Sequence, residues 1–396
     1  VSRKYTILRD AGHFPSANPL ERFTRSGAAV ATGGTAPEPV IETEELSKRE
    51  VMDLARDATI AGMAPIMPTR LIAPVPAARV AAQPEPAWGV HAVGAGASAF
   101  TGEGVLVAVL DTGIDSAHPA FAGVNVVERD FSGDGNGDRQ GHGTHCAGTI
   151  FGRDVAGTRI GVARGVNEVR IGKVLGDDGS GDTDMMHRGI NWAVDQGANV
   201  ISMSLGFDFP GMVQQLTEEG YPVALATSIG LEAYRANLRL FDSLMDLLRA
   251  RRAFGSEVVL VAAAGNESER QIHPSFEIGA SLPAAAEGVI SVGAVEQSQG
   301  GFRIADFSNT LPGISAPGVD IISAEAGGGL VSFSGTSMAC PHVAGCAALW
   351  WQAVRNTPIP LTATSVTAKL LAQARPDVFG ADVDIPDRGV GLVSAP

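Results

Sequence analysis

The chain has 396 residues, 45% of them apolar and 18% charged, a globular composition with material for one large domain or two moderate ones. Its 43 acidic and 29 basic residues leave a net charge of −14, which argues against nucleic acid or an anionic membrane as the main partner. No uncharged apolar run reaches the roughly 18 residues of a transmembrane helix, and 49 glycines without a fixed period exclude a collagen-like or low-complexity chain.

In chain order, residues 1–85 differ from the rest. The first residue is Val1, not Met, which points to a lost upstream segment, with a signal peptide and a secreted destination as the expectation. A Gly-Gly-Thr-Ala-Pro loop at 33–37 is followed by a capping box, Ser47-Lys48-Arg49-Glu50, that opens a helix with Val51, Leu54, Ala55 and Ala58 on one face. Pro65, Pro68, Pro74, Pro76, Pro84 and Pro86 then bar long regular structure, as in a linker leading into a second domain. From residue 86 to 396 short β-branched runs alternate with helical stretches. Strands are expected at 104–110, 169–175, 199–204, 257–263 and 289–295, and helices near 142–151, 184–197, 229–252 and 337–354. Such alternation, with continuous rather than alternating apolar runs, predicts an α/β fold whose mostly parallel central sheet is covered by helices on both faces. The stretch 229–252 is the clearest helix, with Leu231, Tyr234, Leu238, Phe241, Met245 and Leu248 on one face and charges on the other.

Three separated segments carry chemistry. Asp111-Thr112-Gly113 ends an apolar run, Gly141-His142-Gly143 opens a helix, and Gly335-Thr336-Ser337 leads into another with Pro341 in its expected first turn. A serine hydroxyl is a poor nucleophile at neutral pH and needs a base within reach, itself held by a third group. Histidine as a residue type has an unperturbed pKa near neutrality, which suits a base, Asp111 stands at the C-terminal end of a strand where open α/β sheets present functional groups, and Asp, His, Ser is one of the chain orders such triads take. Asn266, after the strand at 257–263, offers a side-chain amide to an oxyanion beside the Ser337 backbone N–H. Each segment alone is weak; their joint occurrence on the right elements is strong. The rival readings are a catalytically silent binding module, against which the complete triad speaks, and a phosphate-binding protein, whose Gly133-to-Gly143 loop lacks the needed Lys and holds acids. The cysteines, Cys146, Cys340 and Cys346, make no disulfide framework. They read as small buried thiols, with a reactive, mercury-sensitive thiol beside the site as the alternative.

In Asp111–Asp115, His142–Gly148, Ala263–Asn266 and Gly335–Gly345 the chain resembles the subtilase family of subtilisin-type serine proteases, over roughly 88–396. The resemblance implies a three-layer subtilisin-like fold and a serine endopeptidase acting on polypeptides. It implies that Ser337 attacks the carbonyl, His142 shuttles the proton, Asp111 holds the imidazole, and Asn266 with the Ser337 N–H holds the oxyanion. Gly179-Ser180-Gly181 and Ser204-Leu205-Gly206 match the edges that clamp an extended substrate, and Ala262, Ala263, Ala264 and Gly265 match the wall of the first pocket. His145 reads as structural. No cofactor is required, with calcium as a candidate structural ion. The usual carboxylate is missing after His118-Pro119, so the candidates are Asp134, Asn136 and Asp138, in a loop that otherwise reads as a glycine-rich turn. Asp177, Asp178, Asp182 and Asp184 crowd one substrate edge, either as solvated loop charge or as a basis for preferring basic residues upstream of the cut. The stretch 207–255 is longer than expected, and residues 1–85 take the place of the family's inhibitory propeptide, an N-terminal extension or pro-region of a zymogen that would be the enzyme's own partner.

Overall fold

A computed structural model describes residues 2–10, 38–79, 86–381 and 383–396. The loop expected at 33–37 and Pro84 lie outside the described residues. The chain divides into two compact units: Val1–Ile66 with Val213–Ser256, and Met67–Met212 with Glu257–Pro396.

The larger unit is built on an eight-stranded sheet in the order Gly301–Ile304, Val289–Ser298, Val259–Ala263, Val200–Met203, Leu106–Asp111, Glu168–Lys173, Asn125–Asp130, with Ile314–Pro317 also pairing Val289–Ser298. All pairs are parallel except that of Gly301–Ile304 with Val289–Ser298. Every residue of Val200–Met203 and Val259–Ala263 is buried, and successive strand side chains point to opposite faces. Both sheet faces are therefore covered, which is why the sequence shows continuous apolar runs there rather than alternation. The helices of this unit include His142–Phe151, Thr183–Asp195 and Thr336–Arg355, within a residue or two of expectation. Pro341 stands in the second turn of the last, not the first, because that helix starts at Thr336. Without an N–H, Pro341 leaves the Ser337 carbonyl free of its helical partner, and Ser204 Oγ (3.2 Å) and Cys146 Sγ (3.4 Å) donate to it instead.

The boundary near residue 85 falls differently. Pro68–Leu71 and Val75–Arg79 are short strands of the larger unit. The prolines are tolerated because Pro68 is the first residue of its strand, and the strand holding Pro76 pairs, among the described residues, on one side only, with Leu330–Ser334.

The smaller unit is an antiparallel sheet, Pro39–Leu46, Arg3–Asp10, Ile60–Pro65. The capping box on Lys48–Leu54 forms as read, Ser47 Oγ accepting from Glu50 N while the Glu50 carboxylate accepts from Ser47 N. Val223–Arg251, a helix of 29 residues, packs against Ile60–Pro65. It starts six residues earlier than expected. Phe241, Met245 and Leu248 of the expected inner face are buried, but in its N-terminal half the buried side chains are Ala226, Ala233 and Asn237, with Gly230, whereas Leu231 is half exposed. Close approach accompanies the difference: a Cβ on Gly62 would stand 3.0 Å from Leu240 Cδ1, and Asn237 Nδ2 donates to the Pro65 carbonyl at 2.8 Å. Small and amide side chains fit that face where Leu231 and Leu238 do not.

Candidate active site

Asp111 closes the strand Leu106–Asp111 and is fully buried. Its Oδ1 accepts from Thr112 N at 2.7 Å and meets His142 Nδ1 at 2.7 Å. His142 is the first residue of its helix, reached through Gly141 in the left-handed region (φ 95). Gly143 must be glycine: a Cβ there would stand 2.2 Å from the Gly113 carbonyl. The aspartate loop and the histidine helix therefore touch backbone to backbone.

Asp138 ties these loops together. Its Oδ1 accepts from Thr112 Oγ1 (2.9 Å) and Gly141 N (2.7 Å), and its Oδ2 from Thr144 N (2.8 Å) and Thr144 Oγ1 (2.6 Å). Thr112 Oγ1 in turn accepts from Gly143 N. Lys173, nearly fully buried, donates to the Thr112 carbonyl at 2.8 Å and pairs with Asp177 at 2.6 Å. Sequence reasoning assigned no role to Thr112 or Lys173. Little in the sequence singles out Lys173, because its strand also carries Glu168 and Arg170; its burial, which demands partners, shows only in the structure.

Ser337 is the second residue of Thr336–Arg355 and is buried. Among the described residues no hydrogen bond joins it to His142. Its Oγ lies 3.1 Å from the Ile72 carbonyl oxygen and 3.4 Å from that of Ser204. Cys146 stands between the two elements, its Sγ 3.8 and 4.0 Å from the His142 ring nitrogens. Burial pushes the Cys146 thiol well above its ordinary value and that of Cys340 to about 11, so both stay protonated and poorly nucleophilic near neutral pH. Asn266 is oriented by its surroundings. Its Oδ1 accepts from Thr336 N and Thr336 Oγ1, both at 2.8 Å, which turns its Nδ2 toward the Ala73 carbonyl at 3.1 Å.

Both predicted substrate edges are engaged, by the chain itself. Pro68–Leu71 lies between Ser180–Asp182 and Leu205–Phe207, antiparallel to each. Thr69 faces Gly181 and Phe207, Arg70 faces Ser180 and Gly206, and Leu71 N donates to the Gly179 carbonyl at 2.8 Å. A Cβ on Gly181 would come within 2.5 Å of the Val174 carbonyl, so the edge requires glycine. Ala262, Ala263, Ala264 and Gly265 are all buried, and Ile72 is itself buried, its Cγ1 3.5 Å from where Gly206 would carry a Cβ.

The remaining sequence candidates have other work. Asp177 serves Lys173 and Arg139, Asp178 accepts from Ser180 N and Oγ, Asp182 caps Thr183–Asp195 through Met185 N, and Asp184 pairs with Arg188. In the calcium candidate loop Asp134 accepts from Asp177 N while Asp138 joins the segments that follow Asp111 and flank His142. Among the described residues the one group of three acidic, His or Cys ligands with converging atoms is Asp111, His142 and Cys146. His145 Nε2 donates to the Ile321 carbonyl at 2.9 Å and its ring stacks on Phe333, and burial lowers its pKa to about 3. It is a neutral structural residue. Phe207 ends its strand and Phe209 starts the helix Phe209–Glu218, so the stretch forms regular structure.

Residues 102–392 match the Subtilase family. The chain is 36% identical to an intracellular serine protease of Paenibacillus polymyxa over 63% of its own length and 67% of that protein's. It is 33% identical to the subtilisin-like serine protease Pen ch 13 of Penicillium rubens, over 76% and 66%, and 34% identical to the major intracellular serine protease of Bacillus subtilis, over 64% and 70%. The chain thus spans about two thirds of the length of these curated relatives. It belongs to the subtilase family, and is a subtilisin-like serine endopeptidase acting on polypeptides.

Proposed function

We propose that this protein is a zymogen whose site cuts its own chain between Ile72 and Ala73, with Ser337 as nucleophile, His142 as base and then acid, and Asp111 as the group that orients His142. The supporting observation is the 3.1 Å approach of Ser337 Oγ to the Ile72 carbonyl oxygen, in a strand held by both substrate edges. That hydrogen bond brings the hydroxyl that would attack against the peptide group that would be cut.

Rotation of the Ser337 hydroxyl toward His142 Nε2 starts the reaction. Oγ bonds to the Ile72 carbonyl carbon as its proton passes to His142, and the Asp111 carboxylate stabilises the imidazolium. Asn266 Nδ2 and the Ser337 N–H receive the oxyanion, Asn266 shifting from the neighbouring Ala73 carbonyl. The Ile72–Ala73 C–N bond then breaks, and His142 returns the proton to the Ala73 amine. Water, activated by the same histidine, frees Ile72 from Ser337. Residues N-terminal to Ala73 form the pro-region, and other polypeptides later take the place of Pro68–Leu71.

Intact mass and N-terminal sequencing of the purified chain, for wild type and Ser337→Ala, test this. The expected result is a product starting at Ala73 in the wild type and an uncut chain in Ser337→Ala. Equal cutting of both proteins, or a wild-type product starting elsewhere, overturns the proposal.

A further inference from the structure

We propose that Asp208 and Glu267 form a subsite that selects a basic residue at the third position before the cut bond; this rests on the proposed cut after Ile72. Counting back from that bond, Ile72, Leu71 and Thr69 are buried, whereas Arg70 points outward with its side chain 46% exposed. There it meets two carboxylates at once. Arg70 Nη1 is 3.4 Å from Asp208 Oδ1, and Nη2 is 3.5 Å from Glu267 Oε1.

Neither acid is a loose surface charge. Asp208 Oδ1 also accepts from Gly211 N at 3.0 Å, and the Asp208 backbone N–H donates to the Pro68 carbonyl at 2.9 Å. Glu267 Oε2 accepts from Asn309 Nδ2 at 2.7 Å, and Glu267 N donates to Asn309 Oδ1. One acid follows the substrate edge Leu205–Phe207 and the other follows Asn266, so the site's own elements hold both. Two carboxylates converging on one position repel each other unless a cation sits between them, and a guanidinium offers a donor to each. An acidic side chain at the same position would add a third negative charge. The four acids beside Ser180, which suggested a basic preference from sequence, are committed elsewhere; the preference is carried by a different pair.

The test uses wild-type protein that has completed its own cut, given internally quenched peptides Thr-Xaa-Leu-Ile-Ala-Pro with Xaa as Arg, Ala or Glu. The ion pairs are partly exposed, so the expected kcat/KM preference is about fivefold for Arg over Ala, and it fades with added salt. In Asp208→Asn/Glu267→Gln the Arg-to-Ala ratio falls toward one; Asn and Gln keep the acceptors for Gly211 and Asn309. Equal rates on the Arg and Ala peptides, with cutting between Ile and Ala, overturn the subsite and leave the proposed cut standing. Cutting at another bond, or none, overturns the subsite together with the register on which it rests.

Discussion

The two compact units are held by different means. In the larger, a parallel sheet is buried on both faces, and its loops are fixed by the buried Lys173 and Asp111 and the half-buried Asp138. In the smaller, the strands are half buried, Arg3–Asp10 covering only Thr6, Ile7 and Leu8 fully, and the helix Lys48–Leu54 buries no residue. A doubly covered sheet gains hydrophobic stabilisation at every position and can carry buried polar chemistry, whereas a half-covered one relies on local caps and one helix face. The units should therefore fail under different stresses.

Acid separates them most. Burial lowers the pKa of His145 to about 3 and of His187 and His342 to about 4, and all three belong to the larger unit. Unfolded histidines bind protons near pH 6.5 that the folded ones refuse. Folding stability is thus fully present above pH 6.5 and is lost as pH falls toward 4, by about 1.4 kcal/mol per pH unit for each histidine. The smaller unit has no histidine among its described residues. There the Glu50 carboxyl is lowered by its Ser47 hydrogen bonds and that of Asp57 by Thr59. Their contribution is present above the ordinary carboxylate range and is lost only below it. Hydrogen exchange at pH 7, 6 and 5 should show protection falling in Leu106–Asp111 and Val259–Ala263 before Arg3–Asp10. Larger-unit protection that stays level to pH 5 would break the comparison.

Leu240→Ala reverses the direction. Leu240 is buried on Val223–Arg251 beside Gly62, and its loss should cost about 2–5 kcal/mol. Exchange protection should collapse in Arg3–Asp10 and Ile60–Pro65 while Val200–Met203 and Val259–Ala263 keep theirs. Equal loss in both sets would show that one cooperative transition spans the chain.

The same contrast governs what the sequence revealed. Runs such as Val259–Ala263 read as strands because burial on both faces leaves only apolar residues, a signal confined to five positions. The segments around Asp111, His142 and Ser337 stand out equally in the sequence, since each carries its own small neighbours. The sheet of the smaller unit does not, because Arg3–Asp10 and Pro39–Leu46 mix charges with apolar residues and are defined by pairing between distant positions, from Arg3 with Leu46 to Asp10 with Pro39. The long helix was legible, and so was the C-terminal half of its inner face, Phe241, Met245 and Leu248; the N-terminal half was not. Hydrophobicity pointed there to Leu231 and Leu238, whereas Ala233 and Asn237 are the buried side chains, Asn237 bonded to the Pro65 carbonyl. At the site, Asp134-Gly135-Asn136-Gly137-Asp138 carries the local pattern of ion ligands. The role of Asp138 is set instead by Thr112, 26 positions away, and by Thr144.

The smallest effect comes from Ser47→Ala. A seven-residue helix with no fully buried side chain gains little from packing, so its order leans on the reciprocal Ser47–Glu50 hydrogen bonds. Removing the Ser47 hydroxyl takes away the acceptor for Glu50 N and should cost about 1 kcal/mol. The loss should appear as faster exchange within Lys48–Leu54, with Val223–Arg251 and the central sheet of the larger unit unaffected. Ser47→Asp supplies an acceptor again and should restore protection, a recovery that a merely steric role for the serine would not produce. Undiminished protection in Ser47→Ala would mean that contacts beyond the cap hold this helix, and the contrast with the densely buried larger unit would lose its sharpest local case.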